Sequence, residues 1–135
     1  MSIQRISPDT LPESHGFAHV VVATGTRFVC TSGQVGVDAA GTLVGEGADY
    51  RAQARQAAAN VYTALVAAGA SAADMVRLMI YVVEPTEANL DAIYAGIGEA
   101  AREAGAKPTA TTLIGVTGMT FPGAVVEFDA TALID

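Results

Sequence analysis

Three features of this 135-residue chain predict an α+β fold, a mixed β-sheet with two helices on one face. β-branched runs stand before, between and after two alanine-rich stretches of helical period, giving the order two strands, helix, strand, helix, two strands. Two helices cover only one face of such a sheet. The strand between them, "VRLMIYVV", is apolar on both faces, so its second face needs a cover. With 51% apolar and 16% charged residues, the composition is rich for a small monomer and implies that some apolar surface meets another subunit. The length places residues 1–135 in one domain around one core.

Pro8 and Pro12, among serines and acids, predict an irregular arm over the first fifteen residues. In "HVVVATGTRFVCTSGQ", Thr24, Gly25 and Thr26 separate two β-branched runs and read as a hairpin between strands at 19–23 and 27–31. Residues 36–48 hold four glycines and read as a loop, with a short extended piece at Thr42 to Val44. Asp49 is placed to cap a helix from Tyr50 to Ala68, whose buried stripe is Ala54, Ala57, Val61, Leu65 and Ala68, with Gly69 ending it. "SAAD", Ser71 to Asp74, has the spacing of a capping box. Val76, Leu78, Ile80 and Val82 line one face of the next strand, and Met79, Tyr81 and Val83 the other. Thr86 caps a second helix with Leu90, Tyr94, Ile97 and Ala101 as its stripe, closed by Gly105. Strands at about 109–116 and 124–132 follow, joined by "TGMTFPG".

Composition also excludes functions. Fourteen acids against seven Lys and Arg, a net charge of −7 with no basic cluster, argue against nucleic acid as a partner. No apolar run approaches the roughly 20 residues needed to cross a bilayer, so no membrane is expected. The first residues lack the pattern of an export signal, which points to the cytoplasm. One cysteine, Cys30, allows no intrachain disulfide, and with only His15 and His19 beside it no thiolate or imidazole metal cage is expected. Cys30 lies within a strand run and reads as a buried, inert thiol. "GTLVGEG" lacks the lysine and hydroxyl of a phosphate loop, and "TSGQ" is not a nucleophile elbow.

Two features carry chemistry. "TSGQ" sets a hydroxyl and a flexible glycine at a strand end, suited to donating hydrogen bonds to a bound oxygen, although a plain turn has the same composition. In the last strand Val126, Phe128 and Ala130 share one face, and Val125, Glu127, Asp129 and Thr131 the other. A covered carboxyl on that second face would carry a raised pKa and transfer protons near neutral pH; a solvated strand edge would not.

Read together, "TSGQVGVD", "AQARQAAANVYTALVAAGAS", "DMVRLMIYVVEP", "KPT" and "VVEFDATA" resemble the RidA/YjgF family, also called the endoribonuclease L-PSP or enamine/imine deaminase family, over roughly residues 14–133. The resemblance implies a chorismate-mutase-like fold, a homotrimer, and small-ligand clefts between neighbouring subunits; no cofactor is expected. It implies Glu127 as the catalytic carboxylate that handles a water, and a site drawn from Phe17, Ser32, Gly33, Asp91, Tyr94, Ala110, Thr111 and Thr112. The family's deaminases hold the substrate carboxylate with an arginine two residues after the proline of "KPT". Here that position is Ala110. Neither alanine nor the adjacent hydroxyls offer a planar two-bond fork, and Lys107 is a point charge. Phe17 stands for the family's tyrosine, Asp91 for its asparagine, and Thr112 for a frequent cysteine. The expectation is a hydrolase of imine, enamine or carbonyl-type metabolites, other than the usual 2-iminoacid deaminase. The alternative is a ligand-binding or chaperone-like trimer without turnover; ribonuclease activity conflicts with the charge balance.

Overall fold

The computed structural model describes residues 1–135. Seven strands and two helices follow one another along the chain: β1 (Ser2–Ile6), β2 (Val20–Thr24), β3 (Arg27–Cys30), β4 (Gln34–Val35), α1 (Tyr50–Ala67), β5 (Met75–Val83), α2 (Glu87–Ala104), β6 (Ala110–Val116) and β7 (Val126–Ile134). The main sheet runs β3-β7-β5-β6, with the two-residue β4 also pairing with β7. β5 and β6 are parallel, joined by α2, and the other pairings are antiparallel. This is the mixed sheet with two helices on one face that the sequence predicts.

Strand periodicity sets the core. In β7 the residues Val126, Phe128, Ala130, Ala132 and Ile134 are buried, and the residues between them are half-buried. Leu78, Ile80 and Val82 of β5 join them beneath Ala54, Ala57, Ala58, Val61 and Leu65 of α1. The many alanines let helix and sheet approach closely, and the large side chains Phe128, Leu65 and Ile80 fill what remains.

Both helices start as their caps predict. The Asp49 carboxylate accepts from Ala52 N–H at 2.9 Å, and the Thr86 hydroxyl from Asn89 N–H at 3.3 Å. The Ser71 to Asp74 capping box is formed around a 3-10 turn at Ala72–Asp74. Gly105 closes α2 in the left-handed region with φ 70°. The expected extended piece near Thr42 to Val44 is an isolated bridge between Leu43 and Val37.

Several expectations are corrected. The first fifteen residues are not wholly irregular, because Ser2–Ile6 forms β1 and pairs antiparallel with β2 from Ile6↔Val20 to Ser2↔Thr24. The hairpin at Thr24 to Thr26 does not form; β2 belongs to the small sheet with β1, and β3 pairs with β7. At the crossing point Thr26 N–H donates to Ile134 O at 2.9 Å, and a Cβ on Gly25 would stand 2.8 Å from that oxygen. Long-range pairing with the last strand therefore overrides the local turn. Cys30 is exposed, on the edge strand β3. The fully buried residues of α2 are Ile93, Gly96 and Ala100, while Leu90 and Ile97 are half-buried and Tyr94 is 55% exposed. The rotation follows from α1, whose backbone crosses at Gly96: a Cβ there would lie 2.3 Å from Arg51 O. Ala68 is exposed, one residue past α1. Val125 precedes β7 and is buried, so it does not share the face of Glu127.

Candidate functional site

The strand registers decide which predicted site residues share a face. Tyr81 of β5 lies opposite both Glu127 of β7 and Ile114 of β6; Met79 lies opposite Asp129 and Thr112; Arg77 lies opposite Thr131 and Ala110. These nine residues alternate with the core positions and make up the sheet face that no helix covers. Arg77 Nη2 donates to the Thr112 hydroxyl at 3.0 Å, which ties the lone cation of this face to the edge strand. The Tyr81 hydroxyl is pushed above its ordinary pKa by burial first, then by its hydrogen bond to Asp129 and by the charges of Asp129 and Glu127.

The Ser32–Gly33 turn is brought to this face by two links to β7. Thr31 exchanges hydrogen bonds with Ala130, its N–H donating to Ala130 O at 3.0 Å and its hydroxyl accepting from Ala130 N–H at 3.0 Å. Beyond the turn, Gln34 and Val35 pair with Phe128 and Glu127. Gly33 consequently sits against the Glu127 side chain: a Cβ there would be 2.8 Å from both Cδ and Oε2. Any other residue would displace the carboxylate.

α1 holds that turn in place through polar side chains on its inner surface. Asn60 Nδ2 donates to Val35 O at 3.0 Å and to Val37 O at 2.8 Å, oriented by Gln56 donating to Asn60 Oδ1 at 2.9 Å. Gln53 is completely buried; its amide nitrogen donates to Gly123 O at 3.2 Å and its oxygen accepts from Val125 N–H at 2.9 Å. Every buried side-chain polar atom has a partner. The polar positions of the "QARQAAAN" stretch are thus brackets for β4 and for the start of β7, a role that spacing along the helix alone did not disclose.

The other predicted residues lie elsewhere. Phe17, Tyr94 and Thr111 line a groove of about 960 Å³ on the helix side of the sheet, between α2, β6 and the segment preceding β2. Thr111 and Leu113 of β6 sit opposite the core residues Leu78 and Ile80, which form the floor. Ala18 N–H donates to Thr109 O at 3.1 Å, and Phe17 meets the His19 ring edge-on at 5.1 Å, so the segment is held at the mouth. Asp91 is exposed on α2 and does not line the groove. Within one chain, then, Glu127, Ser32, Gly33, Ala110 and Thr112 are collected on the open side, and Phe17, Tyr94 and Thr111 on the helix side. Tyr62, Arg102 and Lys107, which also line the groove, are not among the site residues read from the sequence. The signal for Tyr62 was its place on α1 beside Val61 and Leu65, on the stripe that meets the sheet.

No three His, Cys, Asp or Glu side chains come together in an arrangement that could hold a metal ion. No helix is long and apolar enough to cross a membrane.

Two helices packed on one face of a mixed sheet are the fold of the Rid and YjgF proteins. The chain belongs to the endoribonuclease L-PSP family, whose sequence model matches residues 9–134. Among solved structures it is similar to YyfB from Yersinia pestis, a Rid-family protein of unknown function, with 42% identity, 99% of this chain and 100% of that chain covered, and a TM-score of 0.88. Rv2704 from Mycobacterium tuberculosis, a member of the YjgF/YER057c/UK114 family, shows 27% identity, 98% and 100% coverage and a TM-score of 0.61. The YjgF gene product of E. coli shares the fold at 23% identity, 96% and 98% coverage and a TM-score of 0.69. No curated protein matches the chain.

Proposed function

We propose that the chain works as a homotrimer whose clefts between subunits bind a small molecule and hydrolyse a C=N bond in it, or add water to an activated carbonyl, with Glu127 as general base and then general acid. The observation that carries this reading is the close approach of Gly33 to the Glu127 side chain, which would let donors of the Ser32–Gly33 segment act beside a carboxylate. In an imine substrate, the donors at Ser32 and Gly33 would orient the polarised group. Glu127 would take a proton from water as its oxygen bonds to the imine carbon and pass it to nitrogen, giving a carbinolamine; the proton of the new hydroxyl group would then go by the same carboxylate to nitrogen as the C–N bond breaks and the C=O bond forms. The products are a carbonyl compound and ammonia, and water is the only co-reactant.

Two further observations support the assembly. Glu127 and its neighbours share a face with the half-buried Met79 and Tyr81 and the exposed Ile114, which a second copy would cover. Phe17, Tyr94 and Thr111 lie on the opposite side of the sheet, so they would reach a Glu127 cleft, beside its own Tyr81, only from a neighbouring chain.

Ala110 determines what the cleft excludes. With no guanidinium at this position, a substrate carboxylate gains no two-bond partner there, so the usual 2-iminoacids are poor substrates. The test is ammonia release from 2-iminoacids generated in place by a PLP-dependent dehydratase. We expect slow turnover by the natural chain and faster turnover by Ala110→Arg; turnover by the natural chain matching that of an arginine-bearing relative would refute the altered specificity. A binding protein without turnover would keep its biological effect in Glu127→Gln.

A further inference from the structure

The helix-side groove has two cations and no acid among its lining side chains, with His15 at one end. The chain has seven Lys and Arg, and five are engaged: Arg5 with Pro108 O and Ala73 O, Arg27 with Asp135 O, Arg51 and Arg55 with Glu99 and Glu103, and Arg77 with Thr112. The remaining two, Arg102 and Lys107, make no hydrogen bond and no direct ion pair, although the charge of Arg102 is felt at Glu99, and both line this groove. Arg102 folds back over Gly98, another lining residue, with Nη1 3.4 Å from where a Cβ would stand. A cation in the last turn of α2 also complements that helix's C-terminal carbonyls, but Lys107 lies beyond the helix and gains nothing from them.

Tyr62 supplies the independent sign of a ligand. Only 8% exposed, it lines the groove, and its hydroxyl has no partner in the protein. That hydroxyl is not sealed in the core, since every fully enclosed polar atom is bonded, and Tyr62 lines the groove. Burial pushes its pKa up, so it remains a donor at neutral pH. Tyr94 adds a second hydroxyl without a partner. The threonine hydroxyls, by contrast, are spent: Thr109 donates to Met75 O at 3.1 Å and Thr111 to Thr109 O at 3.0 Å. Every unpartnered polar group named here can donate, and the two charged ones cannot accept. Beneath them Met75, Leu78, Ile80 and Leu113 make an apolar floor, and Phe17 stands at the mouth.

We infer that this groove is a binding site for an organic carboxylate carrying an apolar body of ring size or larger. An ionised carboxylate is an acceptor only, matching donors from Arg102, Lys107 and Tyr62, and the apolar floor takes the body. About 960 Å³ is ample for a molecule of that size. In a chain of net charge −7, two unpaired cations in one groove are the local exception that would admit an anion. The inference does not rest on catalysis by Glu127, which lies on the opposite face of the sheet.

The test is calorimetric titration of the full chain with 4-phenylbutyrate and, in parallel, with its neutral amide. The carboxylate should bind and the amide should bind at least about tenfold more weakly, the loss expected when a charge-assisted contact disappears. Arg102→Gln with Lys107→Gln should reduce carboxylate affinity by a similar factor or more. Tyr62→Phe should weaken binding while leaving the melting temperature unchanged, because no protein hydrogen bond is lost. Equal affinity for acid and amide, full affinity in the doubly neutralised variant, or unchanged affinity in Tyr62→Phe would overturn the assignment.

Discussion

At the scale of single residues, Glu127 and Gly33 act as one unit. The glycine is required by close approach, because a methyl group would lie 2.8 Å from the carboxylate carbon. The Glu127 side chain is long enough to swing aside, so Gly33→Ala should fold with little loss of stability but lose activity, and a crystal structure of the variant should show the carboxylate displaced. Glu127→Gln keeps the shape and removes the titrating group; turnover on whatever substrate is identified should fall about 10²- to 10⁴-fold, the usual contribution of a positioned general acid or base. Gln53 belongs to the same scale with the opposite consequence. Gln53→Ala leaves the Val125 N–H and the Gly123 carbonyl unpaired in a buried place, which should cost about 1–3 kcal/mol for each group, read as a lower denaturant midpoint.

Between elements, the contact of α1 with α2 sets the angle at which α2 crosses the sheet, and so the width of the groove beside it. Gly96 permits the contact: a Cβ would lie 2.3 Å from Arg51 O and 2.9 Å from Arg55 N, both backbone atoms that cannot step aside. Gly96→Ala should therefore destabilise the fold by about 1–3 kcal/mol, as overpacking does, despite alanine's better helix propensity. Across the outer surface of the same contact, Arg51 and Arg55 pair with Glu99 and Glu103. The hydrogen bond from Arg51, aided by the charges of Arg51, Arg55 and Arg102, holds the Glu99 carboxyl below its ordinary value of 4.5. A depressed folded pKa means the contribution is present above the unfolded value and is lost as pH falls through the folded one. Stability should accordingly decline in acid below about pH 4.5, and added salt should blunt the decline, since these groups are solvent-screened. A thermal melt series across pH at two salt concentrations reads both effects.

For the whole molecule, two unlike faces govern behaviour. The helix-covered side holds the core and the groove; the open side carries Arg77, Tyr81, Glu127 and Asp129 among apolar neighbours. If that side is closed by other copies, sedimentation should give a trimer, and Ile114→Asp should shift it toward the monomer, since a charge would be buried without a partner. A monomeric natural chain would sink the proposed cleft. In base, Tyr50 and Tyr62 titrate above the ordinary value of 10.0, mainly because burial disfavours the phenolate. The unfolded chain then releases these protons first, so the tyrosines' contribution to stability is constant below about pH 10 and falls above it.

The amino-acid pattern by itself determined the α+β class, both helix starts, the buried alternation of β5 and β7, and the Glu127 face, because these follow from periods of 3.6 and 2 and from short-range caps. Motifs in a fixed order were also enough to identify the family. The tertiary structure alone decided the rest. Thr24 to Thr26 reads locally as a hairpin, yet β3 pairs with β7, more than a hundred residues away in sequence, and no local signal encodes a partner so distant. The rotation of α2 depended on a backbone contact at Gly96 that no wheel displays. The division of the site residues between two sides of the sheet depended on strand register, and a shift of one residue would have exchanged the two sets.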